Sequence, residues 1–193
     1  MKIIDNEELI VAQAIEGDEK AFTSLYAAYK NPVYNFIYRM SGNEHDAADI
    51  VQEVFFKVYK KIKTLKNPRF FSTWLFSIAK NEAVSQARRK KNKTYYSLED
   101  DENNGVMRQL ENPEALHPDK MALHGELEKH FQHILSQIPE NYRTAFILGV
   151  LEEKPYEQVA QIMGCTVGNV KSRVFRARAH ITQKLAKLYA VQT

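Results

Sequence analysis

Apolar residues recur at every third or fourth position along almost the whole chain, and runs that alternate apolar with polar are scarce. That spacing lays one apolar stripe along a helix and gives a strand no buried face. The fold class it predicts is all-α. Helices are expected over 5–16, 18–40, 44–63, 70–91, 120–137, 140–152, 155–163 and 167–188. Gly17, Gly42, Asn67-Pro68, Pro139, Pro155 and Gly164 fall at the breaks, as helix stops and starts. No internal repeat is present.

One stretch has no helical period. From Asn92 to Pro118 the chain runs through Glu99-Asp-Asp-Glu-Asn-Asn-Gly105, then Asn112-Pro113 and His117-Pro118. It reads as a linker between two helical units. The expected organisation is an N-terminal domain over 1–92, an acidic linker over 93–119 and a C-terminal domain over 120–193. Each unit is small and can bury a modest core.

Charge follows the same division. From Ile78 to Lys93 six cations face Glu82 alone, and from Gln158 to Thr193 there is no acidic residue at all. Between them, from Thr94 to Glu128, nine carboxylates face only Arg108 and Lys120. Two basic blocks and an acidic connector predict two polyanion-binding surfaces joined by a segment that avoids polyanions.

Composition removes several other classes. With 193 residues, 44% of them apolar, wholesale disorder is excluded. A single cysteine excludes a disulfide framework and a Cys-based zinc module. No apolar run approaches the ~20 residues of a membrane-spanning helix. The start carries Asp5, Glu7, Glu8, Glu16 and Asp18, unlike a secretory signal. A reduced, cytoplasmic protein without membrane insertion is expected.

The sharpest motif is Tyr156-Glu-Gln-Val-Ala-Gln-Ile-Met-Gly-Cys-Thr-Val-Gly-Asn-Val-Lys-Ser-Arg-Val-Phe-Arg-Ala-Arg178. It has the form of a helix-turn-helix: small Ala160 where a second helix crosses, Gly164 at the turn, and Thr166 as a side-chain cap. Val170, Val174, Ala177, Ile181, Leu185 and Leu188 form the stripe expected to face the core. Ser172, Phe175 and Arg176 lie opposite, with Lys171 at their edge, as a major-groove surface. Arg176 suits a bidentate contact to guanine.

A second motif concentrates Phe70, Phe71, Trp74 and Phe76 ahead of a basic run. Trp74, Asn81 and Arg88 are seven residues apart, so they share a helix face. A ring, an amide and a cation on one face suit melted nucleic acid. Phe71, Leu75 and Ile78 are expected in the core, with Trp74 divided between core and binding platform. A third segment, His45 to Lys60, sets Val51, Val54, Phe55 and Val58, with Ile62 beyond it, against Asp46, Asp49 and Glu53. Ile50 and Phe56 flank the acidic stripe and are expected at the surface. The pattern fits either a solvated face or a protein-docking face.

These segments, in this order, resemble the extracytoplasmic-function sigma factors of the sigma-70 family, and look most like its envelope-stress members. The resemblance runs from Ala14-Ile-Glu-Gly-Asp-Glu-Lys-Ala-Phe22 to the last helix. It rests on Asp46-Ala-Ala-Asp-Ile-Val-Gln-Glu-Val-Phe55, Phe71-Ser-Thr-Trp-Leu-Phe-Ser-Ile-Ala79, Ile138-Pro-Glu-Asn-Tyr-Arg143 and the helix-turn-helix. It implies a sigma region 2 domain and a sigma region 4 domain, and a promoter-specificity subunit for RNA polymerase.

The resemblance also implies roles for particular residues. Asp46, Asp49, Glu53 and Phe56 would grip the β′ coiled coil of core polymerase. Asn67, Arg69, Phe70, Trp74, Asn81 and Arg88 would meet the −10 element, and Lys171, Ser172, Phe175 and Arg176 the −35 element. Core polymerase (the β′ coiled coil and the β flap), promoter DNA and an anti-sigma factor are the partners implied.

Two departures bear on transfer. Pro155 stands where relatives often carry a Ser cap, and is acceptable at a first helical position. Base preference does not transfer to the loop Asn67-Pro68-Arg69.

No nucleophile–base pair, phosphate-binding glycine loop or carboxylate dyad occurs, so no enzyme activity and no cofactor are expected. His130 and His133, with Glu126 nearby, are read as surface residues rather than a metal site. Cys165 is read as filler. Two other classes stay open on sequence: a stand-alone helix-turn-helix regulator, and a protein-binding mimic that recruits an anti-sigma factor.

Overall fold

The computed structural model describes residues 4–99 and 120–190. Eight α-helices are present among them: α1 (Glu7–Glu16), α2 (Glu19–Ser41), α3 (Glu44–Lys61), α4 (Phe71–Glu99), α5 (Lys120–Ser136), α6 (Glu140–Phe146), α7 (Tyr156–Met163) and α8 (Val167–Ala190). Short 3-10 turns at Ile62–Thr64 and Pro68–Phe70 join α3 to α4, and a π turn, Ile147–Leu151, follows α6. No strand occurs among the described residues, and none of their helices is long and apolar enough to cross a membrane.

Helix ends fall where their capping chemistry places them. The Asp18 carboxylate accepts from the amides of Lys20 (2.8 Å) and Ala21 (3.1 Å), and Asn43 Oδ1 from that of Asp46 (3.0 Å). The αL glycines at the C-termini of α2 and α7 are Gly42 (φ 73°) and Gly164 (φ 62°). Pro155 sits one place before α7 and offers its carbonyl to Val159 N at 3.0 Å, so it is not the first helical residue expected.

α4 runs eight residues past the expected end at 91. Residues 92–99 contain neither Gly nor Pro, so nothing there stops a helix. The rest of the acidic connector, 100–119, lies outside the described residues.

The cores do not divide as the sequence suggests. One continuous cluster joins Val33, Phe36, Val54, Phe71, Leu75 and Phe76 of the first half to Ile147, Leu148, Val159, Ile162, Val170 and Val174 of the second. A smaller cluster of Ile134, Leu135, Ile138, Phe146, Ala177 and Ile181 belongs to the second half alone. The C-terminal unit is thus a thin layer with apolar faces on both sides. It completes its burial by laying α7 on α4, and α5 and α6 on α2. Units this small expose much of their apolar surface when isolated, and stacking removes it from water at about 25 cal/mol per Å².

Polar contacts fix the stacking. Gln132 Nε2 donates to the carbonyls of Tyr38 and Arg39 at the end of α2, both at 3.1 Å. These carbonyls belong to the last helical turn, whose acceptors have few partners within the helix. Thr144 Oγ1 lies 3.5 Å from the sulfur of Met40. Lys154, in the loop before α7, donates to Ser72 Oγ at 3.2 Å and lies 3.8 Å from the centre of the Phe76 ring. Burial pushes its ammonium pKa down, opposed by the carboxylates of Glu152 and Glu7.

Glu152 sits in the same layer, and burial raises its carboxyl pKa despite Arg39 and Lys154. Unfolding therefore releases its proton in the range just above the usual 4.5, and its ionisation weakens the folded form as pH climbs through that range. Glu152→Gln is expected to stabilise the protein at pH 7 and to lose that advantage below about pH 4.5. Urea titrations of both proteins at pH 7 and pH 4 check this.

Candidate nucleic-acid interface

α8 starts at a real cap: Thr166 Oγ1 accepts from Asn169 N at 3.2 Å. Val170, Val174, Ala177 and Ile181 are buried, and Leu185 is half-buried. Leu188 lies outside the described side chains. The opposite face is open as expected. Lys171, Ser172, Phe175 and Arg176 are all exposed, Phe175 by 74%. A phenyl ring at that exposure buries little apolar surface within the described residues. Arg173, at the border, turns inward with Nη1 3.4 Å from Cys165 Sγ. Arg176 Nη1 donates to the hydroxyl of Tyr142 on α6 at 2.9 Å.

The aromatic-basic block divides. Phe71, Leu75 and Phe76 are fully buried, and Ile78 is half-buried against the same core. Phe76 packs edge-on against Phe36 at 5.7 Å and carries Lys154 on its face. Trp74 is half-buried beside Phe71, at 6.3 Å. Phe70 is 49% exposed at the turn before α4. There the Asn67 side chain accepts from Arg69 N at 3.1 Å, and Arg69 Nε pairs with Glu8 at 2.9 Å. That pair is largely exposed and adds little stability.

Asn81 and Arg88 are exposed and face the C-terminal unit across a cleft of about 390 Å³. Lys80 joins them on one wall, with Glu140, Asn141, Thr144 and Met163 among the rest of the lining. The structure thus brings Asn81 and Arg88 together at this cleft, while Trp74 lies outside its lining.

On α3 the apolar stripe is buried as expected through Val51, Val54, Phe55 and Val58, and on through Ile62. Asp49 and Glu53 are exposed. Phe56 is 54% exposed beneath the Lys60 ammonium, 4.0 Å from its ring centre. Ile50 is a correction: it is 5% exposed, not at the surface. α4 packs along α3 beside it, so the buried arc is wider than one stripe. Asp46 is half-buried and tied to Lys90 of α4, while Lys57 bridges to Glu82 at 2.5 Å. Asp49 and Glu53 border the resulting groove together with Arg89. His130 and His133 are exposed, and Glu126 lies outside the described side chains.

Sequence reasoning missed three residues that matter here: Gln132, Lys154 and Tyr142. Only Tyr142 carried a signal, being inside the Ile138–Arg143 motif.

Known proteins match this arrangement over almost all of the chain. The family pattern described as Sigma-70 region 2 matches residues 25–93, and that described as Sigma-70, region 4 matches residues 130–181. The ECF RNA polymerase sigma-E factor of Haemophilus influenzae is 37% identical over 94% of this chain and 96% of its own. The chain belongs to the extracytoplasmic-function sigma factors of the sigma-70 family.

Two further relatives of this sigma factor are similar over comparable lengths. The ECF RNA polymerase sigma factor SigW of Bacillus subtilis is 32% identical over 92% of this chain and 96% of its own. The sigma-E factor of Escherichia coli is 34% identical over 94% and 95%. Among solved structures, the sigma factor RpoE in complex with the anti-sigma factor NepR from Bartonella quintana superposes with a TM-score of 0.66 at 25% identity, over 86% of this chain and 98% of that one. CnrH in complex with the cytosolic domain of CnrY superposes with a TM-score of 0.69 at 20% identity, over 98% and 100%, which shows the shared fold.

Proposed function

We propose that this sigma factor docks on core RNA polymerase through α3, captures melted −10 DNA along α4, and reads the −35 duplex with α8. The observation that carries the reading is the α8 face. Lys171, Ser172, Phe175 and Arg176 are fully displayed on a helix with no acidic residue, and the other contacts follow from family membership. Lys and Arg around the face hold phosphates, and Arg176 supplies the base contact. Asp49, Glu53 and Phe56 offer two carboxylates and an exposed ring to a basic partner surface, the β′ coiled coil, with Asp46 at the border of the same face. The β flap meets the C-terminal unit.

Asn67, Arg69 and Phe70 receive a displaced base at the turn, and Trp74, Asn81 and Arg88 continue the −10 surface. Binding energy alone drives melting, so no cofactor and no bond chemistry enter. The protein works in the cytoplasm, where its polymerase is.

Packing of the two units makes the described form a resting one. Elements centred 25 base pairs apart lie about 85 Å apart along B-DNA. In the packed form the −10 surface and the C-terminal unit share one cleft, far closer than that. The 20 residues between α4 and α5 extend to at most about 70 Å, which together with the width of the units covers the promoter. Separation is thus a condition of binding both elements. An anti-sigma factor that clamps the packed form keeps the protein off DNA, and RpoE and CnrH are both described as complexes with partner proteins.

Gel filtration of the protein with purified core polymerase, followed by permanganate footprinting on promoter fragments, tests the assignment. A stoichiometric complex that opens the −10 region supports it. Duplex binding without complex formation contradicts it.

A further inference from the structure

We propose that Tyr142 is a positioning residue that sets the guanidinium of Arg176 for base reading. The proposal rests on the assignment of α8 as the −35 reading helix. The Tyr142 ring is packed against the smaller apolar cluster of the C-terminal unit, and His180 lies beside it at 6.4 Å between ring centres. Those contacts fix the ring, so its hydroxyl is a stationary acceptor. Arg176 Nη1 donates to that oxygen at 2.9 Å, and its guanidinium carbon is 5.7 Å from the ring centre.

A guanidinium has five donors and no acceptor, and a free arginine side chain samples many rotamers. Using Nη1 on Tyr142 leaves the Nε–Nη2 edge for a second partner. That edge is the pair of parallel donors that fits O6 and N7 of guanine. The tyrosine oxygen accepts from Arg176, and its own proton stays available for a phosphate oxygen nearby. α6 is short and has no residue in the sequence-predicted reading face. Tyr142 gives it a share in recognition by restricting the one arginine suited to read guanine.

The test uses holoenzyme formed with core polymerase and a promoter selected from a library randomised at −35. Each guanine in the selected −35 element is replaced in turn, and initiation rates on original and replaced promoters give a discrimination ratio. Tyr142→Phe keeps the packed ring and removes only the hydroxyl. It is expected to lower the ratio about three- to ten-fold at a single guanine, the range of one hydrogen bond. Initiation at other replaced positions keeps its ratio. Arg176→Ala is expected to remove discrimination at that same guanine, and Tyr142→Phe in the Arg176→Ala background to change nothing more.

A Tyr142→Phe effect that slows original and replaced promoters equally, or one that adds to Arg176→Ala, overturns the positioning role and leaves the reading of α8 intact. Full guanine discrimination by Arg176→Ala overturns the reading of α8, and the role of Tyr142 with it.

Discussion

Replacing Asp49 and Glu53 together by alanine is expected to weaken binding to core RNA polymerase about 30- to 1,000-fold, the range of a central interface residue. Both carboxylates are exposed on α3 and neither is paired with Lys57 or Lys90, which are held by Glu82 and Asp46. Removing them costs the fold little, since exposed helical positions tolerate alanine within about 0.5 kcal/mol. The wild-type interaction should weaken with salt, because its charges sit on a surface rather than in a pocket. Duplex binding by α8 should be untouched. Fluorescence anisotropy of labelled protein against core polymerase at two salt concentrations measures this, with thermal melting as the control for folding. Unchanged affinity would move the docking surface away from α3.

The second large effect concerns the stacked units. Lys154→Glu places a carboxylate where an ammonium now meets Ser72 and the face of Phe76. The site already lies near Glu7 and Glu152, whose attraction for the lysine becomes repulsion. Position 154 is half-buried, so an unpaired carboxylate there costs part of the about 3–5 kcal/mol of a fully buried one. That cost is avoidable without unfolding α1–α4, because the C-terminal unit can lift away on its connector. The variant is expected to have a larger radius of gyration in X-ray scattering, to keep most of its helical circular dichroism, and to bind a −10 single strand more tightly than the unaltered protein. Lys154→Met keeps the stem over Phe76 without the charge and is expected to stay packed. A Lys154→Glu protein as compact as the parent would show that this contact does not hold the units together.

Much of the fold is readable in one sequence because it is local. The 3.6-residue period gives the stripes on α3 and α8, while Asp18, Asn43, Gly42, Gly164 and Thr166 mark ends through bonds spanning a few residues. The α8 reading face is readable for the same reason: what is opposite a complete apolar stripe is exposed. The union of the two units is not local. It depends on carbonyls at the end of α2 meeting Gln132, 93 and 94 residues later, and on Lys154 meeting Ser72 across 82 residues. Periodicity carries no trace of either.

Ile50 and Phe76 show the consequence. Each lies in a segment that sequence patterning linked to a binding surface, and each is buried because another helix lies there. Tyr142 and Arg176, 34 residues apart, meet for the same reason.

Run-off transcription with purified core polymerase on a library of promoter fragments is the most direct test. Specific initiation is expected only when the protein is added, to lose its preference for one −35 guanine with Arg176→Ala, and to disappear with the Asp49→Ala/Glu53→Ala pair. Sequence-specific duplex binding that leaves core polymerase unstimulated would contradict promoter recognition in the holoenzyme.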